Sequence, residues 1–493
     1  VTAAPRPQPL LVLNVAGLTP RALRHMPALR ALACDTGHGA APAARLDPVF
    51  PALTCSVQAS LVTGLAPSQH GIVGNGWYFR ELGEVLLWRQ HSRLIQGEKV
   101  WETARRRHPD YRVANVCWWY AMGAGTDITV TPRPVYHADG RKSPDCYTTP
   151  PALHDELTRR LGPFPLFDYW GPRAGLTSTR WITDATAHIL RTADPDLTLA
   201  YLPHLDYALQ RHGPLGPQAV AAATELDATI APLLALARER GRTVVVLSEY
   251  GITPVDHPVH INRALREAGL LSVYAQAGME YLDPWTSRAF AVADHQVAHI
   301  YVADPHDVAR VREVVTALTG VEHVLGPHDK AAHGIDHERA GELIAVAEPT
   351  SWFTYYYWLD DARAPDFARC VDIHRKPGYD PAELFLDPGD PLVRLRAAGA
   401  LARRKLGLRS TLSVVPLDPG CVRGSHGRLP DTADDAPVLL CSEPITTPAA
   451  RDRYAATDLP AILLALMDAT EPRAGFARCT TRPQAHETTS PNG

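Results

Sequence analysis

Residues 51–75 read PALTCSVQASLVTGLAPSQHGIVGN. A proline-bounded turn delivers one hydroxyl, Thr54, to the start of an apolar segment with helical spacing. A Thr-Gly-Leu-x-Pro-x-x-His-Gly-Ile turn follows. The unpaired N–H groups at a helix N-terminus favour phosphate oxygens. A threonine in that position is either a helix N-cap or, where something lowers its pKa, a nucleophile.

Outward from this segment, short apolar runs alternate with amphipathic stretches. Strands are predicted at 10–15, 111–118, 197–202 and 243–248, with helices over 19–33 and 218–240. Such alternation implies a mainly parallel sheet covered by helices on both faces. The right-handed crossover rule puts the carboxy ends of the strands on one edge. Ligands in open α/β sheets sit beyond that edge. Asn14, His204 with Asp206, and Glu249 with Tyr250 all fall there, facing the crevice that Thr54 should face.

The quoted stretch resembles the nucleophile segment of the alkaline phosphatase superfamily, nearest to its type I phosphodiesterase/nucleotide pyrophosphatase branch. Thr54 falls on the nucleophile; Thr63, Gly64, Pro67, His70, Gly71, Ile72 and Asn75 fall on the turn that follows. The family's usual phosphate-holding asparagine is Val57 here, with Gln58 beside it as a substitute. The resemblance implies two divalent ions about 4 Å apart that stabilise an alkoxide and clamp phosphate oxygens. Its metal motifs are only partly kept. The first-strand aspartate is Ala16, with Asn14 two residues earlier on the same face. Asp206 is kept, but the histidine four residues on is Gln210. The Asp-His pair at the fourth strand is Glu249-Tyr250. Gly424-Ser425-His426-Gly427 matches the late His-Gly motif. The chain thus looks like a divergent subgroup with altered metal ligands, the resemblance covering most of 10–260 and 420–442.

The resemblance implies a divalent cofactor, Zn or Mn, although fewer imidazoles weaken zinc more than oxygen-preferring ions. A single-metal site, a rebuilt site and a silent binding site are the three readings. For rebuilding, the loop holding Asp372, His374 and Asp380 groups metal-type ligands with Arg375 and Lys376, a mixture suited to phosphate. Asp294, His295 and His299 form a second group; His204, His257 and His260 are further candidates. Trp118 and Trp119 follow a strand where the family places a substrate-facing turn, and they either stack on substrate or pack in the core. Arg423, beside the late motif, is a phosphate-binding candidate.

The chain has 493 residues and a net charge of −4, which argues against a broad nucleic-acid-binding surface. Eight cysteines without a CxxC pair point to buried thiols in a reducing compartment. No run reaches bilayer-spanning length, so a cytoplasmic protein without a membrane span is expected. The expected architecture is an alkaline-phosphatase-like three-layer α/β/α sandwich with a smaller α+β insert. Its core takes 1–265 and 410–470, the insert 266–372, a loop region 373–409 and a flexible tail 471–493. The expected function is metal-dependent phosphoester hydrolysis of a small phosphorylated substrate through Thr54, with Asp206, Glu249, His426 and Asn14 holding metal, aided by Asp372 and His374. Gln58, Asn75, Arg375, Lys376, Arg423, Trp118 and Trp119 are the substrate-binding set. A phosphoryl transferase or a silent phosphometabolite-binding chain are the alternatives.

Overall fold

In the computed structural model, which describes residues 7–34, 43–138, 142–408, 410–445 and 451–469, the apolar run Leu10–Val15 is a fully buried strand inside a nine-stranded sheet. It pairs in parallel with Leu197–Leu202 on one side and Thr243–Leu247 on the other. Across the sheet the order is Arg453–Ala455, Ala44–Asp47, Val438–Cys441, Thr243–Leu247, Leu10–Val15, Leu197–Leu202, Val113–Val116, Ile128–Pro132 and Cys146–Thr149. The strands from Thr243–Leu247 to Ile128–Pro132 run parallel. Cys146–Thr149 and Val438–Cys441 join them antiparallel.

The pleat of the central strand divides the core. Leu11, Leu13 and Val15 pack against residues of the helices Leu176–Thr192 and Pro217–Glu239. Leu10 and Val12 face the other way, onto Val57 and Leu61 of Thr54–Thr63 and onto the apolar helix Leu459–Met467. This is the alternation expected of a sheet covered on both faces. Among the described residues, Pro217–Glu239 has the length and apolarity to cross a membrane. Its buried residues, among them Leu226, Ile230 and Leu233, belong to the sheet core instead. The helix expected over 19–33 is broken into Pro20–Leu23 and Pro27–Cys34, because Pro27 has no N–H for the first segment and suits the first turn of a new one.

A second sheet lies within residues 266–372. Its four antiparallel strands run in the order Ala289–Asp294, Val297–Val302, Leu343–Ala347 and Val321–Leu325, with the helix Val308–Thr316 against them. It has no separate core. Ala291, Val292 and Ile300 share one cluster with Cys55, Ala59 and Ile72 from the Thr54 helix and its turn. The stretch 373–409, read from sequence as loop, contains the helix Val393–Lys405, whose alanines, leucines and arginines are strong helix formers. The expected tail, 471–493, lies outside the described residues.

Candidate functional site

Thr54 is the first residue of the helix Thr54–Thr63, and the N-cap is Leu53, extended at φ −120° with no side-chain cap bond. The threonine hydroxyl is therefore not spent on capping. Its Oγ1 lies 3.2 Å from the Tyr250 hydroxyl. The helix ends at Gly64, whose φ of +74° admits the left-handed turn that a side chain would strain. Beyond it, Ile72 N–H donates to His70 Nδ1 (3.0 Å), so Nε2 carries the proton to Ser60 Oγ (2.9 Å). Asn75 closes the segment: its Oδ1 accepts from Cys55 N–H (3.0 Å), while its own N–H and Nδ2 donate to Asp294 (2.8 and 3.0 Å). The residues that match the turn motif thus brace the helix start. Asp294 sits at the tip of a hairpin in the second sheet, so that sheet holds the Thr54 helix in place.

Two carboxylates flank the threonine. Glu249, just past the end of Thr243–Leu247, accepts from Asn14 Nδ2 (2.6 Å) and Gln58 Nε2 (2.9 Å) through Oε2, and the Thr54 hydroxyl faces it as well. Gln58 is used at both ends, since its Oε1 accepts from Trp119 N–H (2.8 Å). Asp206, in the first turn of the helix His204–His212, accepts from the Tyr250 hydroxyl (3.1 Å) and from Gln210 Nε2 (2.7 Å). Gln210 Oε1 in turn accepts from the Tyr379 hydroxyl (2.9 Å). Burial pushes Glu249 and Asp206 each up to about 7, only partly offset by these donors. Tyr250 therefore bridges the threonine to a carboxyl poised to take or give a proton near neutrality.

His426 completes the crevice. The close approach of Gly424 to Leu209 O, where a Cβ would lie 2.3 Å away, lets its loop lie against the Asp206 helix. Its Nδ1–H donates to Ala52 O (2.9 Å), which leaves the Nε2 lone pair 3.8 Å from Asp206 Oδ1. Burial lowers the imidazole to about 3, so it is neutral. The Tyr250 ring stacks flat on it at 3.5 Å, and His295, from the hairpin tip, lies 3.7 Å away on centroids. Tyr379 stacks on His295 (3.8 Å) and contacts Trp88, which contacts Trp119. This aromatic roof includes Trp88 and Tyr379, which sequence reasoning missed because neither lies in a recognisable motif.

The remaining predicted residues lie in other settings. Trp118 is core, 1% exposed, while Trp119 is half-buried. Lys376 is buried and its charge is spent on Asp380 (2.6 Å) and Glu383 (2.7 Å). Arg375 pairs with Asp372 (2.6 Å). His374 sits beside Lys142 and Arg89, and burial and those cations hold it below the usual imidazole range. The loop 372–383 is thus paired within itself, and its link to the crevice is Tyr379. The backbone of Arg423 is tied to Gln210 O (2.9 Å), and its side chain is exposed.

Two donors are left over where the first-strand ligand of the resemblance would act. Asn14 Oδ1 and Glu249 Oε1 are buried and lack hydrogen-bond partners. With Thr54 Oγ1 they form an all-oxygen set, which fits a hard cation such as Mn²⁺ or Mg²⁺ better than zinc. The second expected position fits a metal poorly: Gln210 and Tyr250 replace its imidazoles, and they occupy both Asp206 oxygens as hydrogen-bond donors. Among the described residues, the group of three His, Cys, Asp or Glu ligand atoms lying within 4.8 Å of one another is Asp145, Cys146 and His154, at the sheet edge and not in the crevice.

The family description of type I phosphodiesterases / nucleotide pyrophosphatases matches residues 10–380. No curated protein matches the chain. Among solved structures, phosphonoacetate hydrolase from Sinorhizobium meliloti in complex with phosphonoformate is similar at a TM-score of 0.60 and 17% identity, over 94% of this chain and 96% of that one. Murine ectonucleotide pyrophosphatase / phosphodiesterase 5, as an inactive threonine-to-alanine variant in complex with AMP, is similar at 0.55 and 14%, over 95% and 97%. The human counterpart is similar at 0.56 and 14%, over 95% and 97%. These likenesses establish the fold as alkaline-phosphatase-like.

Proposed function

The chain belongs to the type I phosphodiesterase / nucleotide pyrophosphatase family, and from that premise we propose that it hydrolyses a phosphoester with Thr54 as the attacking group. The observation that carries this reading is the uncapped Thr54 hydroxyl, set at a helix N-terminus and linked through Tyr250 to Asp206. Attack forms the Oγ–P bond and breaks the ester P–O bond, and the leaving alkoxide takes a proton from water. The threonine proton passes through the tyrosine hydroxyl to Asp206, whose raised pKa near 7 suits it to exchange protons at neutral pH. Water then cleaves the phosphothreonine. The positive end of the Thr54 helix, where Asn75 already holds Cys55 N–H, suits the developing phosphate charge. A divalent ion held by Asn14, Glu249 and Thr54 would supply Lewis-acid stabilisation. The AMP complex of the murine neighbour and the phosphonate complex of the hydrolase support a small phosphorylated substrate.

A silent phosphate-binding chain is the second reading, favoured by the closed Asp206 network and by Thr54 being only 4% exposed. A diester such as bis(p-nitrophenyl) phosphate, supplied with and without Mn²⁺, separates the two. Hydrolysis that falls at least about 10³-fold in Thr54→Ala supports the nucleophile. Unchanged turnover in that variant rejects Thr54, and no turnover in the unaltered chain favours binding.

A further inference from the structure

The helix Val393–Lys405 touches the rest of the molecule along a narrow strip. Val393 is buried, and Ala397 packs beside it on Ala382, Val414 and Val415. The opposite side carries apolar residues into solvent. Leu395 is 69% exposed and Leu406 77%, and Ala398 and Ala402 between them are exposed too. Their spacing of three, four and four residues is that of one helical face. Leu406 stays on the helical path because its N–H donates to Ala402 O (3.1 Å). Leu408 N–H returns to Arg403 O (3.0 Å) across Gly407 at φ +76°.

Charge singles this face out. The chain as a whole carries −4, yet between Asp390 and Asp418 it has Arg394, Arg396, Arg403, Arg404, Lys405 and Arg409 and not one acidic residue. On a helical projection Arg394 lies to one side of the Leu395–Leu406 stripe and Arg403 to the other, while Arg396 beside Arg403 pairs with Asp390. An outward apolar stripe edged by arginines is the pattern of a helix lying in the plane of an anionic lipid surface. A second copy of the chain fits poorly, since it would set one cluster of cations against another. From this placement the geometry points to Val393–Lys405 as a membrane-surface anchor for anionic lipid, a role independent of the proposed hydrolysis.

Sedimentation of the full chain with vesicles of phosphatidylcholine, alone or mixed with phosphatidylglycerol, tests it. The unaltered chain is expected to sediment with the anionic vesicles only. Arg394→Gln with Arg403→Gln should weaken binding about thirty-fold, at about 1 kcal/mol for each cation near the surface. Leu395→Glu with Leu406→Glu should abolish it. Both positions are exposed, so unchanged thermal unfolding is expected and shows that each variant is folded. Equal binding to neutral vesicles, no binding to anionic ones, or variants that bind as well as the unaltered chain would each overturn the anchor. A soluble dimer broken by Leu395→Glu, without vesicle binding, overturns it in favour of self-association.

Discussion

Tyr250 stands where the resemblance expects a histidine, and its hydroxyl reaches two ways, to Thr54 and to Asp206. A phenol cannot replace imidazole as a zinc ligand at neutral pH, and burial raises this one further. As a bridge between a hydroxyl and a carboxylate it is well suited. Tyr250→Phe keeps the ring on His426 and removes the bridge. Turnover should fall about 10²–10⁴-fold, and the limb of the rate–pH profile near pH 7 should shift, as stopped or continuous assays would show. The stability cost should be about 1–3 kcal/mol, for one Asp206 oxygen left without its donor. Asn14, Glu249 and Gln58 were all legible in the sequence as neighbours of the crevice, because Asn14 lies near the carboxy end of its strand, Glu249 just past the end of another, and Gln58 one turn along the Thr54 helix. That Gln58 and Asn14 would both be spent on Glu249 was not legible, since it depends on how three separated segments meet.

At the scale of elements, the hairpin Ala289–Asp294 to Val297–Val302 does more than extend the fold. Its tip places Asp294 under Asn75 and His295 on His426. Asn75→Ala removes the Nδ2 donor of a buried carboxyl, raised to about 7 by burial, and the Oδ1 that accepts from Cys55 N–H, while the backbone N–H to Asp294 stays. A loss of about 1–3 kcal/mol for each stranded group should appear in denaturant unfolding, with a fall in turnover as the Thr54 helix loosens. Lys376 makes a parallel case in its own loop. Lys376→Met leaves Asp380 and Glu383 buried together without a cation and should cost about 3–5 kcal/mol, read from the same unfolding curves. The sequence showed Asp294, His295 and Lys376 as chemistry-bearing residues. It could not show which of them bind substrate and which brace the fold, because both uses draw on the same residue types.

For the molecule as a whole, the strands nearest the centre were the most legible. The runs at 10–15 and 197–202 match observed strands residue for residue, since continuous apolar runs mark strands buried on both faces. Ala289–Asp294 and the helix Leu176–Thr192 went unread, the first because its three alanines are weak strand formers and the second because its polar residues blur the period. Burial also fixes the acid response. His70, His204, His260, His295, His299 and His426 all lie below the ordinary value of 6.5. Below 6.5 the unfolded chain takes up protons that these imidazoles refuse, so stability falls as pH falls. Asp206, Glu249 and Asp294, raised to about 7, act in the opposite sense from their ordinary values up to 7. His212, His337 and His374 are lowered too and Glu383 is raised, so the imidazoles outnumber the carboxyls: the denaturant midpoint should drop as pH is lowered from about 6.5 to about 4, and His426→Gln should flatten that slope.

The strand Ala44–Asp47 forms part of the sheet, yet among the described residues its partners there are Val438–Cys441 and Arg453–Ala455. On a ribosome adding about 5–20 residues per second, the roughly 390 residues between that strand and its first partner take about 20–80 s to emerge. Through that interval an early strand waits with both edges bare. His426 emerges only near the end of it, so the crevice is finished late. A chaperone that shields a bare strand edge should therefore improve the yield more than one that only slows collapse.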